Sequence, residues 1–451
     1  MTDVRSPQRK PAPDTVGPER REPTSLRGIA DKAKANKRHR FRDLYRMMDT
    51  EMLLYCWGDL NQDAASGVDK VSAAQYAENL HANVAALVEK LKEKRYRAKL
   101  VRRSYIPKEN GKRRPLGILV IEDKLVQLAC AKLLGAIYEQ DFLDCSYAYR
   151  PERGPLDAVK DLTYKLQYGW YGYVVEFDIK GYFDNIDHDW LLRMLSLRID
   201  DKAFLNLIRK WLKAGILDTD GKIFHPETGT PQGGIVSPVL ANVYLHHVLD
   251  LWFEKMVKPQ SRGEAQWWRF ADDGVCAFRF QEDAERVYRE LPKRLKKFGL
   301  EVAPEKTQIL RFSRFHLGKE RRFAFLGFEI YWEKDRKGVP RIKRRTARKK
   351  LRAACQRIKE WIRTNRHARG RDFFRGLNAR LRGHYNYYGL IGNGDSLNRF
   401  YRGAIVNAFK WLNRRGGKRK SYTWKTFAQI LARVEIARPR ITEVSYRQAL
   451  A

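Results

Sequence analysis

An α+β body followed by a helical, strongly basic C-terminal part is the fold class this sequence predicts, on three observations. Between Phe41 and about Trp332, apolar residues recur at helical spacing in stretches such as LVQLACAKLLGAIY (125–138), and they run together in strand-like segments such as YVVEFDI (173–179). After Lys334 the character changes. Leu351, Cys355, Ile358 and Ile362, then Phe374, Leu377, Leu381, His384 and Tyr388, then Leu397, Tyr401, Ile405 and Phe409 mark three amphipathic helices. Finally, residues 341–450 hold 30 Lys or Arg against 5 Asp or Glu, a formal +25 of the chain's +37.

Four segments follow from these patterns. Residues 1–40 are rich in Pro, Arg, Lys and Asp and poor in large apolar residues, which reads as a disordered basic arm. The mixed body occupies 41–335, the helical domain 336–412, and a basic segment suited to nucleic acid 413–451. With 451 residues, 43% of them apolar, the chain can bury at least one sizeable core.

The charge balance narrows the partners. An excess of this size attracts a polyanion at long range, and nucleic acid fits better than a membrane because no amphipathic or lipidated anchor is present. Composition alone leaves an enzyme and an rRNA-coating structural protein equally open. Cys56, Cys130, Cys145, Cys276 and Cys355 form no C-x-x-C pair and the histidines do not cluster, so neither a zinc site nor a disulfide framework is expected. No signal peptide and no stretch of transmembrane length is apparent, so a cytoplasmic protein, in a bacterial cytosol, is expected.

The candidate chemistry lies in carboxylates. In WWRFADDGVCAF (267–278), two apolar runs flank Ala271-Asp272-Asp273-Gly274, and Asp-Gly between such runs signals a hairpin with both acids at its tip. Their mutual repulsion calls for cations, although an ordinary polar turn would look the same. In YVVEFDIKGYFDNID (173–187), an apolar strand ends at Asp178, with a helix expected to begin near Asp187 or Asp189. A strand-end carboxylate can meet a hairpin tip on the neighbouring strand. Three converging acids, Asp178, Asp272 and Asp273, could hold two Mg2+ ions, with Mn2+ as a substitute, for phosphoryl transfer. Asp184 and Asp187 read as turn or helix-capping residues.

Two further segments frame these acids. TPQGGIVSPVLANVYLHHVLD (230–250) reads as a Pro/Gly turn and a long apolar helix, with Gly233 and Gly234 allowing backbone to approach a template or incoming base closely. YIPKENGKRRPLGI (105–118) reads as two strands around an Asn-Gly turn, carrying Lys108, Arg113 and Arg114. These cations suit a nucleoside triphosphate, or are plain surface charge.

Taken in order, SGVDKVS (66–72), RPLGI, SYAYRPERG (146–154), FDIKGYFDNI, TPQGGIVSP, RFADD, GLEVAPEKT (299–307) and FLGF (325–328) resemble the blocks of the group II intron reverse transcriptases and maturases. The resemblance runs from about Ser66 to about Thr442. It implies a right-hand polymerase: fingers and palm with an antiparallel sheet in 41–335, then a helical thumb or maturase domain. By this likeness Asp178, Asp272 and Asp273 are the metal ligands, and Phe183 is the gate against a ribose 2′-OH. Lys108, Arg114, Ile179, Gln232 and Lys306 would be further contacts to the dNTP.

RGLNARLRGHYNYYGLIGN (375–393) and KWLNRR (410–415) are similar to the family's thumb. Arg375, Arg380, Arg382, His384, Tyr385, Arg414, Arg415, Lys418, Arg419 and Lys420 are therefore candidates for nucleic-acid contact, where stacking and phosphate binding dominate. Tyr385, Tyr387 and Tyr388 read as stacking residues or as packed core. The implied partners are structured intron RNA, an RNA template with a DNA primer, and target DNA. The implied function is RNA-directed DNA synthesis in intron mobility, together with help in splicing. A related enzyme in defence or repair and a splicing-only maturase are the alternatives.

Two departures from the pattern stand out. Phe270 replaces the usual Tyr before Ala-Asp-Asp, which keeps the ring and loses a hydroxyl. After RPRITEVSYR no His-Asn or Cys-rich cluster of an appended endonuclease follows. Likeness to endonuclease-lacking members then implies priming by another route, such as a nascent strand at a replication fork.

Overall fold

The computed structural model describes residues 24–107, 113–230, 233–416 and 421–443. Lys108, Gln232, Lys418, Arg419 and Lys420 lie outside the described residues.

The described chain begins with helices α1 (Thr24–Ala35), α2 (Thr50–Asp59), α3 (Ala73–Ala77) and α4 (Leu80–Lys92), then strands β1 (Val101–Pro107) and β2 (Arg113–Ile118). Helices α5 (Ile121–Tyr138) and α6 (Pro155–Tyr168) lead to β3 (Tyr173–Asp178), α7 (His188–Ser196), α8 (Lys202–Leu212), β4 (Ile216–Leu217) and β5 (Ile223–Phe224). Helix α9 (Ser237–Leu245) runs through two π-helical stretches, His246–Asp250 and Phe253–Val257, into a last turn α10 (Lys258–Gln260). Then come β6 (Ala265–Phe270), β7 (Asp273–Phe278), α11 (Gln281–Lys296), β8 (Gln308–Arg311), β9 (Arg322–Phe325), β10 (Phe328–Lys334) and β11 (Pro340–Thr346). Helices α12 (Arg348–Asn365), α13 (Gly370–Tyr388), α14 (Gly394–Leu412) and α15 (Trp424–Arg433) complete it. This is the mixed fold expected, with antiparallel pairing in most of its sheet.

The central sheet has the order β6-β7-β3-β8 and is antiparallel throughout. Because side chains alternate across a strand, its two faces feed two cores. On one face Val175, Phe177, Trp267, Cys276 and Phe278 join a core covered by α11 and shared with α2, α5, α7, α8 and α9. Val174, Trp268, Val275 and Ala277 pack on the other against α6 and the β9-β10-β11 sheet. β2-β1-β4-β5 forms a separate sheet. Helices α12 to α15 enclose a third core around Leu377, Leu381, Tyr385 and Phe400.

Local sequence explains the helix starts. Asp49, Asp187 and Asp201 precede α2, α7 and α8, and each carboxylate accepts from a backbone N–H of the first turn. Asp187 is thus a cap, as expected.

Three segment assignments change. Part of the predicted disordered arm is helix α1, with Leu26, Ile29 and Ala33 buried against α5. Its C-terminal end is closed by Arg198, which donates to the carbonyls of Ala33, Asn36 and His39. This partner lies far along the chain, so local composition misses the helix. Strand β11 carries the sheet past residue 335, and the helical domain starts at Arg348. Residues 413–451, expected as a basic segment, contain helix α15, whose Phe427 is fully buried.

Candidate active site

The site is built by strand register. Asp178 lies directly opposite Asp273 in the β3–β7 ladder. Both residues belong to the alternation that places Val174, Val275 and Ala277 in one core, so the two side chains project from the same face of the sheet. Like charges directly opposite one another destabilise a ladder. The third acid, Asp272, sits in the turn that joins β6 to β7.

That turn differs from expectation. Phe270 pairs with Asp273, so the reversal occurs at Ala271-Asp272, with Ala271 at φ 55°, and Asp273 is already a strand residue. Gly274 serves packing instead: a Cβ there would lie 2.3 Å from the Phe177 ring. A side chain at that position would wedge β7 away from β3.

The electrostatics match the crowding. Burial, and then the neighbouring Asp178 charge, raises the Asp272 carboxyl above its ordinary range. Asp273 is reached by solvent but closely surrounded by protein. That enclosure, then the charges of Asp272 and Asp178, pushes it up to about 7. Cations answer the cluster. Lys306, in the 3₁₀ turn Pro304–Lys306, donates from Nζ to Asp178, and that hydrogen bond raises the lysine's own pKa. Arg114 on β2 is close enough to offset part of the shift at Asp272.

Among the described residues no group of three His, Cys, Asp or Glu side chains is gathered closely enough to hold a metal ion by itself. An open cluster of acids suits Mg2+, which keeps several water and substrate oxygens among its ligands. The residues present therefore fit a divalent cation that arrives with phosphate.

Comparison with known proteins bears on the same region. Residues 106–330 match the reverse transcriptase (RNA-dependent DNA polymerase) family, a span that contains all three aspartates. The group II intron-encoded protein LtrA of Lactococcus lactis subsp. cremoris is 30% identical over 425 residues, covering 76% of this chain and 69% of that protein. The chain belongs to the group II intron-encoded reverse transcriptases and maturases. Protein YkfC of Escherichia coli (strain K12) is 36% identical over 207 residues, 45% of this chain and 54% of that protein. An uncharacterised 91 kDa protein in the cob intron of Schizosaccharomyces pombe is 41% identical over 172 residues, 38% of this chain and 21% of that protein.

The other expected contacts of this reverse transcriptase are placed unevenly. Phe183 is half-buried, its ring edge-on to Tyr149 with centroids 6.4 Å apart. Tyr149 was not anticipated. It holds a left-handed backbone (φ 58°), is 55% exposed, and lies within electrostatic reach of Asp272 and Arg114. Such strain in an exposed aromatic is characteristic of functional sites, but no sequence pattern flags a positive φ at Tyr. The Ile179 side chain is 2% exposed and packs in the helical-side core, so any contact it makes with a nucleotide would come through its backbone. Gly233 does permit a close approach, but to the protein itself, since a Cβ there would lie 2.3 Å from the Gly117 carbonyl oxygen on β2. Gly233 is thereby fitted against β2.

In the C-terminal helices the candidates divide. Arg375, Arg382 and Arg414 are exposed, Arg375 pairing with Asp372. Arg380 and Arg415 are half-buried, and the Arg380 guanidinium lies 4.0 Å from the centroid of the Trp361 ring. Tyr385 is corrected to core: it is fully buried and donates its hydroxyl to the Ala437 carbonyl. His384 is likewise occupied internally, stacked on Phe400 with centroids 3.7 Å apart, and burial pushes its pKa down to about 4. Their place on the apolar stripe of α13 decides both cases.

Proposed function

We propose that Asp178, Asp272 and Asp273 hold two Mg2+ ions, or Mn2+ in their place, at the nucleotidyl-transfer site of this RNA-dependent DNA polymerase. The reading rests above all on the pairing of Asp178 with Asp273 on one face of the sheet, beside the Asp272 turn. When bound, the ions would activate the primer 3′-hydroxyl and neutralise the leaving pyrophosphate.

The chain's own residues position the reactants. Arg114, with Lys108, grips the triphosphate from the β1–β2 hairpin, which we assign to the fingers. The β6-β7-β3-β8 sheet is the palm, and α12 to α14 form the thumb or maturase domain. Phe183, walled by Tyr149, crowds the sugar where a ribose 2′-OH would sit. Gln232 sits by the nascent pair. Lys306 exchanges Asp178 for the pyrophosphate oxygens when a nucleotide enters.

Exposed cations such as Arg375, Arg382 and Arg414, together with Lys418, Arg419 and Lys420, hold the phosphates of intron RNA, primer–template and target DNA. The protein works in the cytosol, in keeping with its five free cysteines.

The test is Asp273→Asn in the full chain. Primer extension on an RNA template should fall to background, and Mn2+ binding, followed by the manganese spin signal, should weaken. RNA affinity should hold. Extension at the normal rate would remove Asp273 from the metal site.

A further inference from the structure

Beneath the aspartate-bearing turn lies a charged side chain that the chemistry above does not use. Arg269 is two residues before Ala271 on β6, and it is 1% exposed. All five of its N–H donors are engaged. Nε donates to Asp250 Oδ1 at 2.9 Å, and Nη2 donates to Asp250 Oδ2 at 2.8 Å and Ser146 Oγ at 2.7 Å. Nη1 donates to Asn242 Oδ1 at 3.1 Å and to the Ala271 carbonyl at 3.3 Å.

Its partners come from separate parts of the fold. Asp250, fully buried, ends the π-helical stretch His246–Asp250, and π-bulges of this kind recur at functional sites. Asn242, on α9, also donates to the Ala148 carbonyl at 2.6 Å, next to Tyr149. The neighbouring Ala241 carbonyl accepts from the Tyr182 hydroxyl at 2.5 Å, next to Phe183. The Arg269 backbone is tied to the same region, its N–H donating to the Cys145 carbonyl and its carbonyl accepting from Tyr147. One guanidinium thus joins the Asp272 turn to both aromatic walls of the sugar site.

An ion pair this deep is a poor source of stability, because desolvation offsets the attraction and apolar replacements of similar volume are often neutral. What a planar, five-donor fork supplies is geometry. We propose that Arg269 is a positioning residue for the metal-binding turn: anchored by Asp250, it holds the Ala271 carbonyl and so fixes where Asp272 and Asp273 project. The inference rests on the metal-site reading above.

The test compares full-length wild type with Arg269→Met/Asp250→Leu, Arg269→Lys and Asp273→Asn, measuring melting temperature, primer–template affinity, single-nucleotide kcat and KM, and the Mg2+ concentration for half-maximal rate. The apolar pair should melt near wild type and bind primer–template normally. Its kcat should drop about 100-fold, as for a misplacement near 1 Å, with a raised Mg2+ requirement and little change in dNTP KM. Arg269→Lys should fall between, since one ammonium cannot serve Asp250, Ser146, Asn242 and Ala271 together. If the apolar pair does not fold, Arg269→Lys decides on the same readouts. A folded variant with wild-type kcat and Mg2+ requirement would overturn the proposal. Normal synthesis by Asp273→Asn would instead bring down the metal-site reading itself.

Discussion

Arginine does opposite work in the two halves of this molecule. In the central sheet, Arg269 is 1% exposed and every donor it has is spent on the protein. On α13 and just beyond α14, Arg375, Arg382 and Arg414 stand exposed. The first arrangement fixes a geometry, and the second offers charge to a polyanion. On the reading proposed above, the difference separates chemistry from binding, with the reacting acids on the sheet and the exposed cations on the helices.

That separation can be broken experimentally. The largest effect belongs to Asp272→Ala/Asp273→Ala: cDNA synthesis should fall about a thousandfold or more, while filter-binding affinity for primer–template stays within about twofold. Joint loss of both would show that the two halves are not independent. Next in size, Phe183→Val should weaken discrimination against rNTPs on the order of tenfold or more, read as relative kcat/KM for dNTP and rNTP. Unchanged discrimination would move the sugar gate elsewhere.

From the other side, Arg375→Gln/Arg382→Gln/Arg414→Gln should flatten the dependence of log affinity on log salt by roughly 0.7 to 0.9 per lost phosphate contact. Synthesis at saturating RNA should be preserved. A steady slope would make these charges bystanders.

The smallest effect sharpens the comparison inside the helical part. His384, buried among aromatic rings, has a folded pKa of about 4 against an ordinary 6.5. A depressed pKa means that its contribution to stability is complete above pH 6.5 and is lost as pH falls towards 4. His384→Phe should therefore reduce the drop in melting temperature between pH 7 and pH 4.5. The group's full contribution is at most about 3 kcal/mol.

The helical half was the more legible. Its apolar stripes have local spacing, and α12, α13 and α14 form where that spacing predicts them. Periodicity could not say whether Tyr385 faces RNA or core, because a tyrosine suits both. In the sheet, the strand ending at Asp178 and the hairpin before Cys276 were readable. Their pairing was not, since strands so distant in sequence reveal nothing of their mutual register. Arg269 did leave a signal: it occupies the same alternation as Ala265 and Trp267, an inward position on an apolar strand. Helix α1 left a fainter one, three apolar residues in a basic stretch, whose meaning depends on Arg198.

The pairing of Asp178 with Asp273 also bears on how this gene can change. Strand alternation has a period of two, so losing or gaining a single codon within β7 would either turn the later side chains to the opposite core or, if those kept their places, carry Asp273 out of line with Asp178. Two codons would restore the faces but shift the carboxylate along the ladder. The six residues of β7 therefore admit substitution far more readily than any change in length.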